Sequence, residues 1–167
     1  MIKKILKIFM ILILTTVQGY SAGSSNSNST MKKPKANTSF YSATIRIDKA
    51  KKLEAKGKVE KSKKIYKEAL MYLYKANKEN PFEPDILNYL GFANRKVDNL
   101  KDAEIYYLMG LEIDPKHNGI NEYLGELYVL TNRIELANER LNILKSCGCK
   151  EYQELKDVIE GVKKSKY

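Results

Sequence analysis

The tripeptide Tyr-Leu-Gly is written twice in this chain, at Tyr89-Leu90-Gly91 and at Tyr123-Leu124-Gly125, 34 residues apart. An internal period of that size marks a stack of supersecondary units, each too small to bury its apolar face alone. With Pro84 and Asn118 as the starting points, Leu90 aligns with Leu124, Gly91 with Gly125, and Ala103 with Ala137. Leu87 falls on Asn121, Tyr107 on Leu141, and Gly110 on Leu144. Glycine and proline are scarce, 9 and 4 of 167 residues, which favours helices over a sheet.

Each unit reads as two helices. Leu87, Leu90 and Gly91 stand at i, i+3 and i+4, on one helical face. A polar break follows at Asp98-Asn99, and Leu100, Ala103, Tyr107, Gly110 and Leu111 resume the helical spacing. Asp114-Pro115 ends it, because proline cannot continue a helix and biases the residue before it away from one. A mid-helix glycine costs about 1 kcal/mol against alanine. Gly91 and Gly125 therefore predict close approach by a neighbouring helix, as do the small Ala103 and Ala137.

The stretch before Pro84 is less regular. Residues 43–56 suit a first helix with Ile47, Ala50 and Leu53 apolar, and Gly57 breaks it. A second helix from there reaches Pro81 seven residues late, about two helical turns, which keeps the same face inward. Counting back 34 residues from Pro81 gives another register, with Ala69 and Ala76 in the small-residue positions. After Cys149, Tyr152, Leu155, Val158, Ile159 and Val162 form an apolar stripe, the pattern of a terminal helix closing a stack.

With Leu90, Gly91, Ala103, Tyr107 and Pro115 in one unit and Leu124, Gly125, Tyr128 and Ala137 in the next, the chain resembles the tetratricopeptide-repeat family. It departs from that pattern at Asn94, where tyrosine is usual, at Gly110, where alanine is usual, and at Cys149, where proline is usual. The resemblance implies an all-α solenoid of three helical hairpins, at 43–83, 84–117 and 118–149, with a capping helix at 150–164.

The front of the chain reads differently. Lys3, Lys4 and Lys7 precede an apolar run from Ile8 to Leu14, with small residues at Gly19, Ser21 and Ala22. This is the layout of a secretory signal over 1–22, and the apolar run falls short of the about 20 residues a membrane span needs. An uncleaved membrane anchor is the alternative. No Cys follows the run to make a lipoprotein site. Residues 23–42 are polar and read as a disordered basic linker. The expected location is exported and periplasmic. The net charge of +10 is uneven: residues 31–67 hold 13 basic and 3 acidic residues, and residues 68–167 hold 14 and 17. Such a front can meet an anionic surface, or it is an ordinary lysine-rich solvated face.

Little in the sequence suggests catalysis. His117 is the single histidine and lies in a turn, where a solvated surface role is expected. There is no His/Cys/carboxylate cluster at metal spacing, no phosphate-cradling glycine loop and no nucleophile elbow. The reading is non-enzymatic, with no cofactor and no nucleic-acid partner expected. For Cys147 and Cys149 three roles stand: a local disulfide, two free thiols, or a redox pair, the last lacking any nearby group to lower a thiol pKa. Some secreted tetratricopeptide-repeat proteins resemble this chain in carrying a cysteine pair before the final helix, which favours the structural bond.

The family resemblance further implies a concave surface that grips a protein or peptide. The residues it assigns to that surface are Asn88, Phe92, Arg95 and Lys96, then Glu122, Glu126, Val129 and Leu130, and from the first unit Ile47, Lys51 and Glu54. Phe92, Val129 and Leu130 would give apolar contact, and Arg95 and Lys96 would pair with acids on the ligand. The Lys/Asn/Arg clamp that some members use for a C-terminal carboxylate does not appear at matching positions. The function expected is therefore a binding scaffold in the bacterial envelope. Docking on anionic membrane through Lys-rich residues 49–67 and Lys32, Lys33 and Lys35 is the alternative, and a thiol redox role comes last. The partner's identity and the oligomeric state are not readable.

Overall fold

The computed structural model describes residues 38–165. The predicted signal over 1–22 and most of the predicted linker lie outside them. The described residues form seven helices: α1 Thr38–Glu54, α2 Val59–Glu79, α3 Pro84–Lys96, α4 Leu100–Ile113, α5 Asn118–Leu130, α6 Ile134–Leu144 and α7 Lys150–Ile159. Residues 38–42 belong to α1 rather than to a linker. Ser39 and Ala43 continue the apolar face of Ile47 and Ala50, and a helix extends as far as its buried face does.

Consecutive helices pair as hairpins, α1 with α2, α3 with α4 and α5 with α6, and each hairpin packs on the next. The sequence period is visible in the backbone. α3 and α5 start at Pro84 and Asn118, and Asp98 and Asn132 take positive φ at equivalent turns. In the first turn Asp98 N donates to Arg95 O and Asn99 N to Asn94 O; in the second Asn132 N donates to Val129 O and Arg133 N to Tyr128 O. Asp and Asn tolerate the left-handed conformation that this helix-ending motif demands.

The same motif closes α1, and it fixes the register of the first hairpin. Gly57 has φ 69°, its N–H donates to Glu54 O, and Lys58 N donates to Leu53 O. Turn for turn, α2 with 21 residues is longer than α4 with 14 by the two helical turns inferred from the late proline. Leu73 and Ala76 on that extension are fully buried, so the added length lengthens the seam without rotating it.

The two repeated glycines sit where neighbours come close. A Cβ on Gly91 would run into the Tyr107 ring of α4, and one on Gly125 would run into the Leu155 side chain of α7. The repeat position is thus used twice with different partners. α7 packs on α5 and α6 and buries Leu155 and Val158, closing the apolar face that the third hairpin leaves.

Candidate protein-binding groove

α1, α3, α5 and α7 line a groove of about 590 Å³, bounded by Lys51, Glu54, Ala55, Phe92, Lys96, Tyr123, Lys150 and Ser165. The repeat brings them together. Phe92 and Lys96 follow Gly91 on successive turns of α3, Tyr123 is the first letter of the repeated tripeptide on α5, and α1 lends the last turn before Gly57.

Its floor is aromatic. Phe92 is buried, tilted against Tyr123 at 5.3 Å between ring centroids and edge-on to Tyr66 at 5.9 Å. Lys51 Nζ lies 4.7 Å above the Phe92 ring, within cation–π range. One wall is an ordered polar cluster. Glu54 accepts from Lys96 Nζ at 2.8 Å and from the Tyr66 hydroxyl at 3.0 Å. Burial first, and the Glu54 carboxylate second, push the Tyr66 phenol well above its ordinary pKa, so it stays a donor. A smaller cleft of about 70 Å³, lined by Lys51, Asn88, Tyr89, Phe92 and Tyr123, adjoins the same ring.

Under the floor lies a buried ion pair. Arg95 Nη2 donates to Glu126 Oε2 at 2.9 Å with both side chains fully buried, and Arg95 Nη1 donates to Tyr123 O at 2.6 Å. Burial draws the guanidinium below its ordinary pKa while Tyr107, Glu126, Tyr123 and Glu122 oppose the shift. Ser165, from the segment after α7, donates its hydroxyl to the same Glu126 oxygen at 3.1 Å.

The predicted surface residues therefore divide. Phe92, Lys96, Lys51 and Glu54 line the groove, and Asn88 lines the adjoining cleft. Arg95 does not face a ligand: Glu126, on α5 of the next repeat, holds it inside the protein. Glu126 and Glu122 are likewise buried, because α5 is covered by neighbours on both sides. Ile47 is core. Val129 is half-buried and Leu130 exposed, and neither lines the groove, because it ends on α5 at Tyr123. Lys96, expected to pair with a ligand, is engaged by Glu54. The sequence reading missed Tyr123, Ala55, Lys150 and Ser165. Tyr123 carried a signal, its place in the repeated tripeptide. Lys150 and Ser165 lie past the last repeat, where the period gives no register.

Two further features singled out in the sequence lie away from the groove's lining, the cysteine pair and the histidine. Cys147 and Cys149 are joined by a disulfide just before α7. His117 is not a solvated turn residue: it caps α5, its Nδ1 accepting from Ile120 N at 3.2 Å, while Nε2 lies 3.1 Å from Asp85 Oδ1. With Nδ1 accepting, the proton resides on Nε2 and is donated to Asp85. Among the described residues there is no group of three or more His, Cys, Asp or Glu that could hold a metal ion.

No protein-family model matches the sequence, and no curated protein does. Solved structures do. The first tetratricopeptide-repeat region of Spaghetti (RPAP3), bound to the HSP90 peptide SRMEEVD, is 17% identical over 72% of this chain and 92% of that one, with a TM-score of 0.51. A CopN–Scc3 complex is 19% identical over 73% of this chain and 69% of that one; its TM-score of 0.41 is too low to build on. Three hairpins on a common turn motif, a closing helix and the likeness to the first of these structures agree: the described part of the chain has the tetratricopeptide-repeat fold.

Proposed function

We propose that the chain is a non-enzymatic scaffold that holds a segment of a partner protein or peptide in the groove between α1, α3, α5 and α7. The observation that carries this is the groove's make-up, an aromatic floor of Phe92 and Tyr123 beneath a rim of Lys51 and Lys150, with Lys96 in the wall held by Glu54. Such a site suits an extended segment with one apolar side chain for the floor and carboxylates for the lysine rim. The floor is already braced by Tyr66 and by the Arg95–Glu126 pair, so little ordering remains to be done when a ligand arrives. A neighbour of the same fold is described with a bound peptide. The basic end and apolar run of residues 1–22 support a location in the bacterial envelope.

The test is selection from a displayed random-peptide library against the full chain. Binding of the selected peptides is then measured in Ala55→Trp, which fills the groove, and in Lys51→Glu with Lys150→Glu, which reverses its rim. The expected result is acidic peptides with an apolar anchor, lost at least tenfold in both variants. Peptides that bind the variants as well as the parent would sink the groove as the working surface.

A further inference from the structure

The first hairpin carries a second surface, independent of the groove. Residues 38–80 hold 12 basic and 5 acidic residues, whereas residues 81–165 hold 11 and 15. On α2 this charge is ordered. Lys64, Lys67, Lys75 and Lys78 stand around Met71 at helical spacing, all within about 40° of it around the helix axis and along about 21 Å of its length. All four lysines are exposed, and Met71 is 71% exposed. Tyr74 flanks the stripe at 44% exposure, Glu60 opens it and Glu68 borders it. None of the four lysines takes part in an ion pair or hydrogen bond among the described residues. The opposite side of α2, from Ser62 to Ala76, is the buried one and packs toward α1 and α3.

We infer that this face of α2 docks on an anionic lipid bilayer. The helix lies in the plane of the interface, with the lysines against headgroup phosphates and Met71 turned toward the acyl chains, while Tyr74 beside it is held against Tyr106 of α4. Charge complementarity alone would also admit a nucleic acid. Two features favour lipid. The stripe has no arginine, the residue whose planar fork suits nucleic-acid phosphates and base edges. Its centre is an exposed methionine, of no use to a phosphate backbone but suited to the boundary between headgroups and acyl chains. Among the described residues no helix is long and apolar enough to cross a membrane. The groove residues lie on other helices and are left untouched.

The experiment is vesicle co-sedimentation of the full chain, with phosphatidylcholine vesicles and with vesicles that also contain phosphatidylglycerol. The readout is how much of the gain from the anionic lipid each variant loses, since Lys3, Lys4 and Lys7 add to that gain equally in parent, stripe variant and control. The variant Lys64→Glu/Lys67→Glu/Lys75→Glu/Lys78→Glu is compared with a control of equal net charge, Lys101→Glu/Lys116→Glu/Lys145→Glu/Lys164→Glu. All eight positions are exposed, and circular dichroism checks each fold. The expected result is an anionic-lipid gain that fades at high salt and falls roughly 100-fold in the stripe variant, but far less in the control. Met71→Ser is expected to weaken it about tenfold at unchanged charge. Equal losses in stripe variant and control would overturn the proposal, as would no gain from phosphatidylglycerol or no loss in Met71→Ser. So would tighter, equally stripe-dependent binding to a short DNA duplex.

Discussion

Arg95 and Glu126 belong to neighbouring repeats and meet inside the protein, 31 residues apart in the chain. A buried pair of this kind contributes little over an apolar replacement, but losing one partner strands the other charge. Glu126→Ala is therefore expected to lower unfolding free energy by about 3–5 kcal/mol in urea titration, while Arg95→Met with Glu126→Leu together costs far less. A second residue-scale effect is backbone strain. Phe82 has φ 65° and is exposed, so the left-handed conformation is held by no packing of its own ring. Phe82→Gly should raise stability by about 1 kcal/mol, seen as a higher thermal midpoint. His117→Ala should lower it by about 1 kcal/mol through loss of the α5 cap, and His117→Asn should restore most of that.

At the scale of elements, α2 and α7 do the work that the repeat does not. α2 runs two turns past the length of α4, and its extra turns supply Leu73 and Ala76 to the core. α7 fills the space beside Gly125 with Leu155, as Tyr107 fills the space beside Gly91. Leu155→Ala should cost about 2–5 kcal/mol by chemical denaturation, because the cavity opens at the end of the stack against a rigid α5. The Cys147–Cys149 disulfide spans only three residues, so its constraint on the unfolded chain is small. Cys147→Ser with Cys149→Ser is expected to cost about 1.5 kcal/mol, read from the same denaturation curves.

At the scale of the whole molecule, charge and shape are divided between surfaces. Basic residues crowd the first hairpin, and the groove is built from the helices that begin each hairpin and from the closing helix. The hairpins, their order and the closing helix were legible in the sequence. Each follows from a local rule: the spacing of Leu90, Gly91, Ala103 and Tyr107, the breaks at Gly57 and Asp98-Asn99, and the stripe at Leu155 and Val158. The site was legible only in part. Phe92, Lys96, Lys51 and Glu54 were assigned by the resemblance to the tetratricopeptide-repeat family, and they do line the groove. Arg95, Glu122 and Glu126 could not be placed, because a charged residue on a helix reads as exposed until the neighbouring helix is known to cover it. Nor could Lys150 and Ser165, which reach the groove from beyond the last repeat. Periodicity, a property of neighbours along the chain, thus determined the fold from sequence alone. Which charges are buried, which are paired and which line the groove was decided by contacts between separate hairpins, and those exist only once the stack has formed.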